Sequence, residues 1–113
     1  IDAICSHHEP LSSSAKQAPF AEAVAGISNF DTFVSLGCKL VADGILTPDT
    51  LVEKICTNPA AIAGVKDELN HGKAVLIDPN HAWQVSKDTM LSQGKNTPFM
   101  GQTLVGQVEK VFF

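Results

Sequence analysis

The 113-residue sequence has few charged residues and no cluster of basic ones. Eight basic residues stand against twelve acidic residues, which gives a formal net charge of −4. Nucleic acids and anionic membranes are bound mainly through clustered positive charge, so this pattern argues against both partners. No apolar run approaches the ~18 residues of a membrane span, and no basic leader precedes a hydrophobic stretch. We therefore expect a cytoplasmic protein that does not bind membranes.

The sequence also has few cysteines, and none of them form a C-x-x-C pair. Three cysteines at wide spacing predict reduced thiols rather than a disulfide framework or a zinc knuckle. Each lies in an apolar stretch, so we expect Cys5, Cys38 and Cys56 to be buried as small hydrophobic residues. No Gly-x-Ser-x-Gly elbow is present, and a nucleophile triad is not indicated. His71 and His81 stand in turn-like contexts and are interpreted as surface residues.

The first eleven residues combine a short apolar run with a cluster of polar side chains. Residues 1–5 are largely apolar and predict a buried strand. The run then breaks into His7, His8 and Glu9, closed by Pro10. Alternate side chains of an extended segment point the same way, so His7 and Glu9 could converge on one ion while His8 faces away. Two ligands do not complete a metal site, and we assign none within this chain.

Three helices are predicted in the next part of the chain, after a Ser- and Ala-rich loop over residues 12–25. Ser28-Asn29-Phe30-Asp31 has the form of a capping box, and the helix that follows is predicted to stop at Gly44. Thr47-Pro48 predicts a second helix start, and Asn58-Pro59 predicts a third helix that ends near Gly64. The first helix has apolar residues at helical spacing, which predicts a core-facing stripe: Phe30, Phe33, Val34, Gly37, Leu40 and Val41.

After residue 65 the composition changes to strand-like pieces separated by turn residues. Strands are predicted over residues 74–77, 83–85 and 103–113. Turns are predicted at Asp78-Pro79-Asn80 and Gly94-Lys95-Asn96. Apolar residues alternate in the last run, which favours half-buried antiparallel strands. We therefore expect an α/β chain with two parts, residues 1–65 and 66–113.

Several motifs in this chain resemble one family in both order and spacing. They are the D-H-x-P-H-like segment around His8, then Ala18-Pro19-Phe20, Gly26-Ile27-Ser28, Thr57-Asn58-Pro59-Ala60, Leu76-Ile77-Asp78-Pro79, Trp83-Gln84-Val85 and Gly94-Lys95-Asn96-Thr97-Pro98-Phe99. Together they resemble the C-terminal third of dihydroorotases of the multifunctional-complex type, which are cyclic amidohydrolases. The resemblance implies the last strand of a TIM barrel with its following helices, plus strands of a flanking β-sandwich. A complete barrel needs ~250 residues, so we expect a piece of a longer protein.

The resemblance also identifies the positions at which this chain departs from the family. His7 stands where the family has the metal-site Asp that moves a proton, and Leu11 stands where the family has the His that grips the substrate carboxylate. His8 and Pro10 match the family pattern, and Gly26 is a further candidate for substrate binding. An imidazole can accept a proton near neutrality but lacks the negative charge of a carboxylate. Leu11 cannot hydrogen-bond an anion.

These departures lead to two hypotheses about function. The first is an inactive dihydroorotase homologue of pyrimidine biosynthesis, which forms homo-oligomers and acts as a structural partner of aspartate carbamoyltransferase. The alternative is an active zinc-dependent dihydroorotase, or a related enzyme that hydrolyses a cyclic amide C–N bond. Zinc is expected in the parent protein only under the alternative. The family's His-x-His metal ligands lie outside this chain, and their presence in the parent would discriminate between the two.

Overall fold

A computed structural model describes residues 1–65 and 72–113 of the chain. Within these ranges it contains a short 3-10 helix (Ser13–Lys16) and three α-helices, α1 (Phe30–Ala42), α2 (Pro48–Val52) and α3 (Asn58–Ala63). Two strands follow, β1 (Ala74–Gln84) and β2 (Thr103–Phe112). The predicted α/β class is confirmed. His71 lies outside the described residues, and the predicted boundary after residue 65 falls at the edge of them. None of the helices described is long and apolar enough to cross a membrane.

The first helix ends as predicted but begins differently. Gly44 takes a left-handed φ of +73° just beyond its last turn, which a glycine adopts without steric cost. The predicted capping box is wrong, because the Asp31 carboxylate accepts from the backbone N–H groups of Leu91 (2.7 Å) and Ser92 (3.4 Å) instead. Burial raises the pKa of Asp31, but these hydrogen bonds outweigh it and the net pKa is lowered. Asp31 therefore joins the start of α1 to a distant loop.

The second and third helices form one continuous helical stretch. Thr47 caps α2 as predicted, since its hydroxyl accepts a hydrogen bond from the Thr50 N–H at 3.1 Å. A π-helical turn over Glu53–Thr57 then leads directly into α3. Asn58 is therefore not a new N-cap, and its side chain donates instead to the Asp2 carbonyl at 2.9 Å. The third helix ends at Gly64, as predicted, with a φ of +74°.

The two strands pair in an antiparallel sheet with two register shifts. The first lies between Leu76 and Ile77, and the second between Asp78 and Ala82. The predicted turn at residues 78–80 is wrong, because these residues form a bulge inside one continuous strand. Pro79 has no N–H to donate, and a bulge is one of the few places where a strand accepts proline. The antiparallel pairing itself is confirmed.

The first helix packs against the sheet through a short polar network. The Trp83 indole N–H donates to the Ser35 hydroxyl at 2.9 Å, and that hydroxyl donates to the Gly106 carbonyl. A Cβ at Gly106 would lie 2.7 Å from Cys38 Sγ, so the close approach of helix and strand requires glycine. Val85, Met90 and Leu104 form a small apolar core nearby, with Trp83 and Phe99 packed against it.

The predicted buried strand over residues 1–5 is wrong for the described chain. Ile1 is 97% exposed, and the segment makes no strand pairing within the described ranges. Among the described residues it is held by two hydrogen bonds to its backbone: the Ile4 N–H donates to the Lys54 carbonyl, and the Asp2 carbonyl accepts from the Asn58 side chain, each at 2.9 Å. An apolar run becomes a buried strand only where neighbouring strands pair with it, and no described residues supply them.

The cysteine prediction is partly confirmed. All three thiols are free, as expected from their number and spacing. Cys5 and Cys56 are exposed, so their predicted burial is wrong, while Cys38 of α1 is half-buried beside Gly106 of β2. Burial raises the pKa of the Cys38 thiol. Apolar neighbours in sequence therefore did not determine which cysteine is buried.

Candidate functional site

The segment from His7 to Leu11 forms a loop that lies against residues 26–29. His8 and Ile27 make a single parallel bridge, in which the Glu9 N–H donates to the Ile27 carbonyl at 2.8 Å. His7 has a φ of +44°, which a non-glycine residue rarely adopts. The loop is therefore turned sharply at the position where the sequence resemblance placed the family's Asp.

His7 and Glu9 converge as the sequence pattern suggested. His7 Nε2 lies 3.6 Å from Glu9 Oε1, and the two side chains are 83% and 48% exposed. The cause is the turn at His7 rather than regular strand alternation. No third metal-capable side chain in residues 1–65 or 72–113 joins this pair. The pair supplies two donor atoms, which is one fewer than a typical catalytic zinc site takes from the protein.

His8 faces the other way and caps the first helix. Its Nδ1 atom accepts hydrogen bonds from the Asn29 N–H (3.0 Å) and the Phe30 N–H (3.1 Å). An Nδ1 lone pair is available only when that nitrogen carries no proton, which fixes the tautomer of a neutral ring. The imidazole also stacks on the Phe30 ring. His8 therefore performs the capping role that the sequence assigned to Ser28.

Phe30 occupies an unexpected position because of this stacking. Its side chain was predicted to face the core as part of the apolar stripe of α1. The residue is 64% exposed and lies against the imidazole of His8. The prediction of a core position is therefore wrong for Phe30.

Leu11 is held by its backbone rather than its side chain. The Leu11 N–H donates to Asn96 Oδ1 at 2.6 Å. The Asn96 amide nitrogen donates to the carbonyls of Glu9 and Gly26, each at 3.1 Å. The Asn96 carbonyl accepts from the Ser28 N–H at 3.1 Å. One asparagine thus connects three separate segments of the chain.

Asn96 was missed as a site residue because it was interpreted as part of a turn. The available signal was the Gly94-Lys95-Asn96-Thr97-Pro98-Phe99 motif, which resembles the family but was not connected with the His7–Leu11 loop. Gly94 supports the same contact, since a Cβ there would lie 2.4 Å from the Leu11 nitrogen. Residues 94–96 therefore serve as the support on which the loop rests.

Gly26 lies directly against Glu9. Its φ is +116°, and a Cβ at this position would lie 2.2 Å from Glu9 Oε2 and 2.6 Å from Glu9 Cβ. Its carbonyl is already bonded to Asn96. The structure therefore places Gly26 beside the candidate loop, where the glycine leaves space for the Glu9 side chain. Whether Gly26 binds substrate stays a prediction.

Sequence comparison identifies proteins that match nearly the whole chain. The dihydroorotase of Syntrophus aciditrophicus (strain SB) is 40% identical over 112 residues, and that of Geobacter metallireducens is 38% identical over 110 residues. These alignments cover 96% and 94% of this chain. The chain is homologous to the dihydroorotases. No family model matches it.

The chain spans about a quarter of the length of these curated relatives, 26% in each case. A dihydroorotase-like protein of Pseudomonas putida is 41% identical over 112 residues, which are 96% of this chain and 26% of that protein. The resemblance that the motifs suggested is therefore confirmed at the level of the family.

A solved structure supports the same relationship. The inactive dihydroorotase-like domain of a Chaetomium thermophilum CAD-like multifunctional protein matches with a TM-score of 0.60 and 30% identity. The match covers 81% of this chain and 25% of that chain. The helices and the sheet described above thus match a fragment of a dihydroorotase-like domain.

Proposed function

We propose that this chain is part of a catalytically inactive dihydroorotase homologue of pyrimidine biosynthesis that acts as a structural partner of aspartate carbamoyltransferase. The observation that carries the proposal is the composition of the His7–Leu11 loop. The family resemblance assigns the chemistry of this loop to two positions. In this chain they hold the exposed imidazole of His7 and the aliphatic side chain of Leu11. The contacts that hold the loop in place are nevertheless complete.

The side chain at His7 is poorly suited to replace a metal-site carboxylate. A neutral imidazole brings no negative charge to a cation, and a protonated one repels it. His7 is exposed, and Glu9 is the acidic residue beside it. These two residues do not make up a zinc site, so a catalytic zinc ion at this loop would need further ligands from other parts of the parent protein. No catalytic step can be derived for this loop.

The side chain at Leu11 removes a second function. When a substrate carboxylate has no hydrogen-bonding partner in a closed site, its binding is weakened by about 1–3 kcal/mol. The Leu11 N–H cannot substitute for the missing imidazole, because it already donates to Asn96 at 2.6 Å. Both losses point in the same direction, toward a protein without dihydroorotase activity.

The intact supporting contacts favour a protein that is retained for its fold. His8 still caps α1, and Asn96 still joins the loop to its neighbours. A chain that no longer needed to fold would lose these contacts as readily as the chemical groups. The similar Chaetomium domain is itself inactive and belongs to a CAD-like multifunctional protein, which supports an inactive domain that works within an assembly.

Binding to a partner would give an inactive chain a physical effect. A protein that binds only the folded partner stabilises it by mass action, by about 2.7 kcal/mol at 100 times the Kd. We propose aspartate carbamoyltransferase as that partner, and a homo-oligomeric state for the parent protein. The alternative of an active zinc-dependent dihydroorotase is supported by the names of the bacterial relatives, which are dihydroorotases.

A steady-state assay of the intact parent protein tests the loss of activity. Zinc is supplied, and dihydroorotate hydrolysis and its reversal are both measured, with the Syntrophus aciditrophicus dihydroorotase as the positive control. We expect no turnover above background from the parent. Turnover of about 1 to 10³ per second, the usual enzyme range, would establish the active alternative.

A second experiment tests the partner. The intact parent and the aspartate carbamoyltransferase of the same organism are mixed at micromolar concentration and analysed by size-exclusion chromatography with light scattering. We expect a complex whose mass equals the sum of whole subunits and a change in transcarbamoylase activity or stability. Separate elution with unchanged activity and stability would contradict the structural role.

A further inference from the structure

The irregular register of the sheet brings three metal-capable side chains together. Leu76 pairs with Lys110 and Ile77 with Val108, so Glu109 is an extra residue on β2. Asp78 pairs with Gln107, and the next pair is Ala82 with Val105. The stretch of β1 between Asp78 and Ala82 is longer than the facing stretch of β2, so it bulges, and His81 lies in this bulge. Asp78 is the last paired residue before that bulge. All three residues therefore lie in or next to one of the two register shifts.

Their ligand atoms lie close enough to share one ion. One atom each from Asp78, His81 and Glu109 lies within 4.8 Å of the other two. His81 Nδ1 and Glu109 Oε1 are 2.9 Å apart. The Asp78 carboxylate is oriented by the Asn80 N–H, which donates to Asp78 Oδ1 at 2.8 Å. Such hydrogen bonds to a ligating carboxylate commonly accompany metal sites.

We propose that Asp78, His81 and Glu109 bind a divalent transition-metal ion of the zinc type. One imidazole nitrogen and two carboxylate oxygens are ligands that zinc accepts, and water can complete a four-coordinate site. Bonds of about 2.0–2.2 Å place two ligand atoms of one ion roughly 3–3.5 Å apart. His81 and Glu109 are nearly half-exposed, at 45% and 42%, so a small rotation closes the remaining gap.

A salt bridge between His81 and Glu109 does not account for the whole cluster. It leaves the Asp78 carboxylate beside a second carboxylate, and two like charges at this separation repel each other. A divalent cation balances both negative charges at once. The His7–Glu9 pair is different, since no third ligand approaches it among the described residues.

Zinc titration of the intact parent protein, after removal of metal with a chelator, tests the proposal. The measured quantity is the number of ions bound per chain by isothermal titration calorimetry, because the parent can hold zinc elsewhere. We expect wild type to bind one ion more than His81→Gln, Glu109→Gln or Asp78→Asn, or to bind that ion at least ~10-fold more tightly. Asp49→Asn, which changes an exposed carboxylate on α2, is the matched control and should bind as wild type.

Asp78→Asn is the decisive variant, because it leaves the His81–Glu109 pair in place. Zinc binding equal to wild type in this variant would overturn the three-ligand site, and equal binding in all variants would overturn the site altogether. All the substituted side chains are at the surface or half-buried, and circular dichroism verifies that each variant is folded. The outcome is independent of the proposed function, since the cluster shares no residue with the His7–Leu11 loop.

Discussion

The imidazole ring of His8 lies flat on the phenyl ring of Phe30, with centroids 4.1 Å apart and planes 3° from parallel. The same imidazole accepts two backbone hydrogen bonds at the start of α1. One side chain therefore fixes the direction in which this helix begins.

Replacement of His8 by alanine removes both the cap and the stacking contact. We expect the free energy needed to open the first turn of α1 to fall by about 1–2 kcal/mol, which is the usual effect of losing an N-cap. Hydrogen exchange of the intact protein, measured by mass spectrometry over residues 28–34, reports this opening. His7→Ala is the matched control, because His7 is the exposed neighbour and caps nothing. Equal exchange in the two variants would show that His8 is not the cap.

Replacement of Asn96 by alanine should release the loop over residues 9–26. Backbone groups of Leu11, Glu9 and Gly26 would each lose a hydrogen-bonding partner. Together these losses lower the free energy of loop opening by an amount on the order of 2 kcal/mol. Lys16 lies within this loop, so the rate of tryptic cleavage after Lys16 in the native protein is a direct measure. We expect a rise of about tenfold or more, since 1.4 kcal/mol corresponds to a factor of ten when cleavage follows opening. Gln93→Ala, an exposed change in the same segment, should leave the rate unchanged.

Replacement of Gly26 by alanine combines a backbone strain with a steric clash. The clash is with Glu9, whose side-chain atoms would lie 2.2 Å and 2.6 Å from the new Cβ. Gly44→Ala is the matched control, because Gly44 also has a positive φ but no atom within 4 Å of a Cβ. We expect Gly44→Ala to cost about 1–2 kcal/mol from the backbone alone. Gly26→Ala should cost clearly more in urea unfolding, and equal losses would mean that Glu9 simply moves aside.

The isolated 113-residue chain should associate with itself. Its accessible surface is 7832 Å², whereas a compact monomer of 12.0 kDa exposes about 6,000 Å². Its radius of gyration is 15.6 Å, against about 13 Å expected for this length. Large apolar side chains such as Ile1, Phe20 and Phe113 are almost fully exposed. Sedimentation velocity should show oligomers or aggregates, and a compact monomer that unfolds cooperatively would contradict this expectation.

The sequence predicted those elements whose signals are local. The existence of α1 and the Thr47-Pro48 start of α2 depend on neighbours a few residues away, and both were predicted correctly. The buried residues of α1 are Thr32 and Ser35, however, and neither belongs to the predicted apolar stripe. Contacts between distant residues were not predictable in this way. The helix cap comes from His8, which lies 22 residues before Phe30, and Asp31 is bonded to a loop 60 residues later.

The errors in the strand predictions have a related cause. Residues 1–5 have the composition of a buried strand, but a strand forms only where a partner is present. At residues 78–80, proline and asparagine indicated a turn, whereas pairing with β2 on both sides keeps the chain extended through a bulge. In the candidate site, the convergence of His7 and Glu9 was predicted, but the role of Asn96 depends on tertiary contacts that no short motif encodes.

The hydrogen bond from Leu11 to Asn96 joins residues 85 positions apart in the chain. At a synthesis rate of roughly 5–20 residues per second, a ribosome needs about 4–17 s to travel from one to the other. The His7–Leu11 loop therefore lacks its hydrogen bonds to Asn96 while the helices and the first strand are synthesised. During translation, this part of the protein can therefore complete its folding only after Asn96 has been synthesised. A pause in synthesis before Asn96 would prolong the time for which the loop is open to proteases and chaperones.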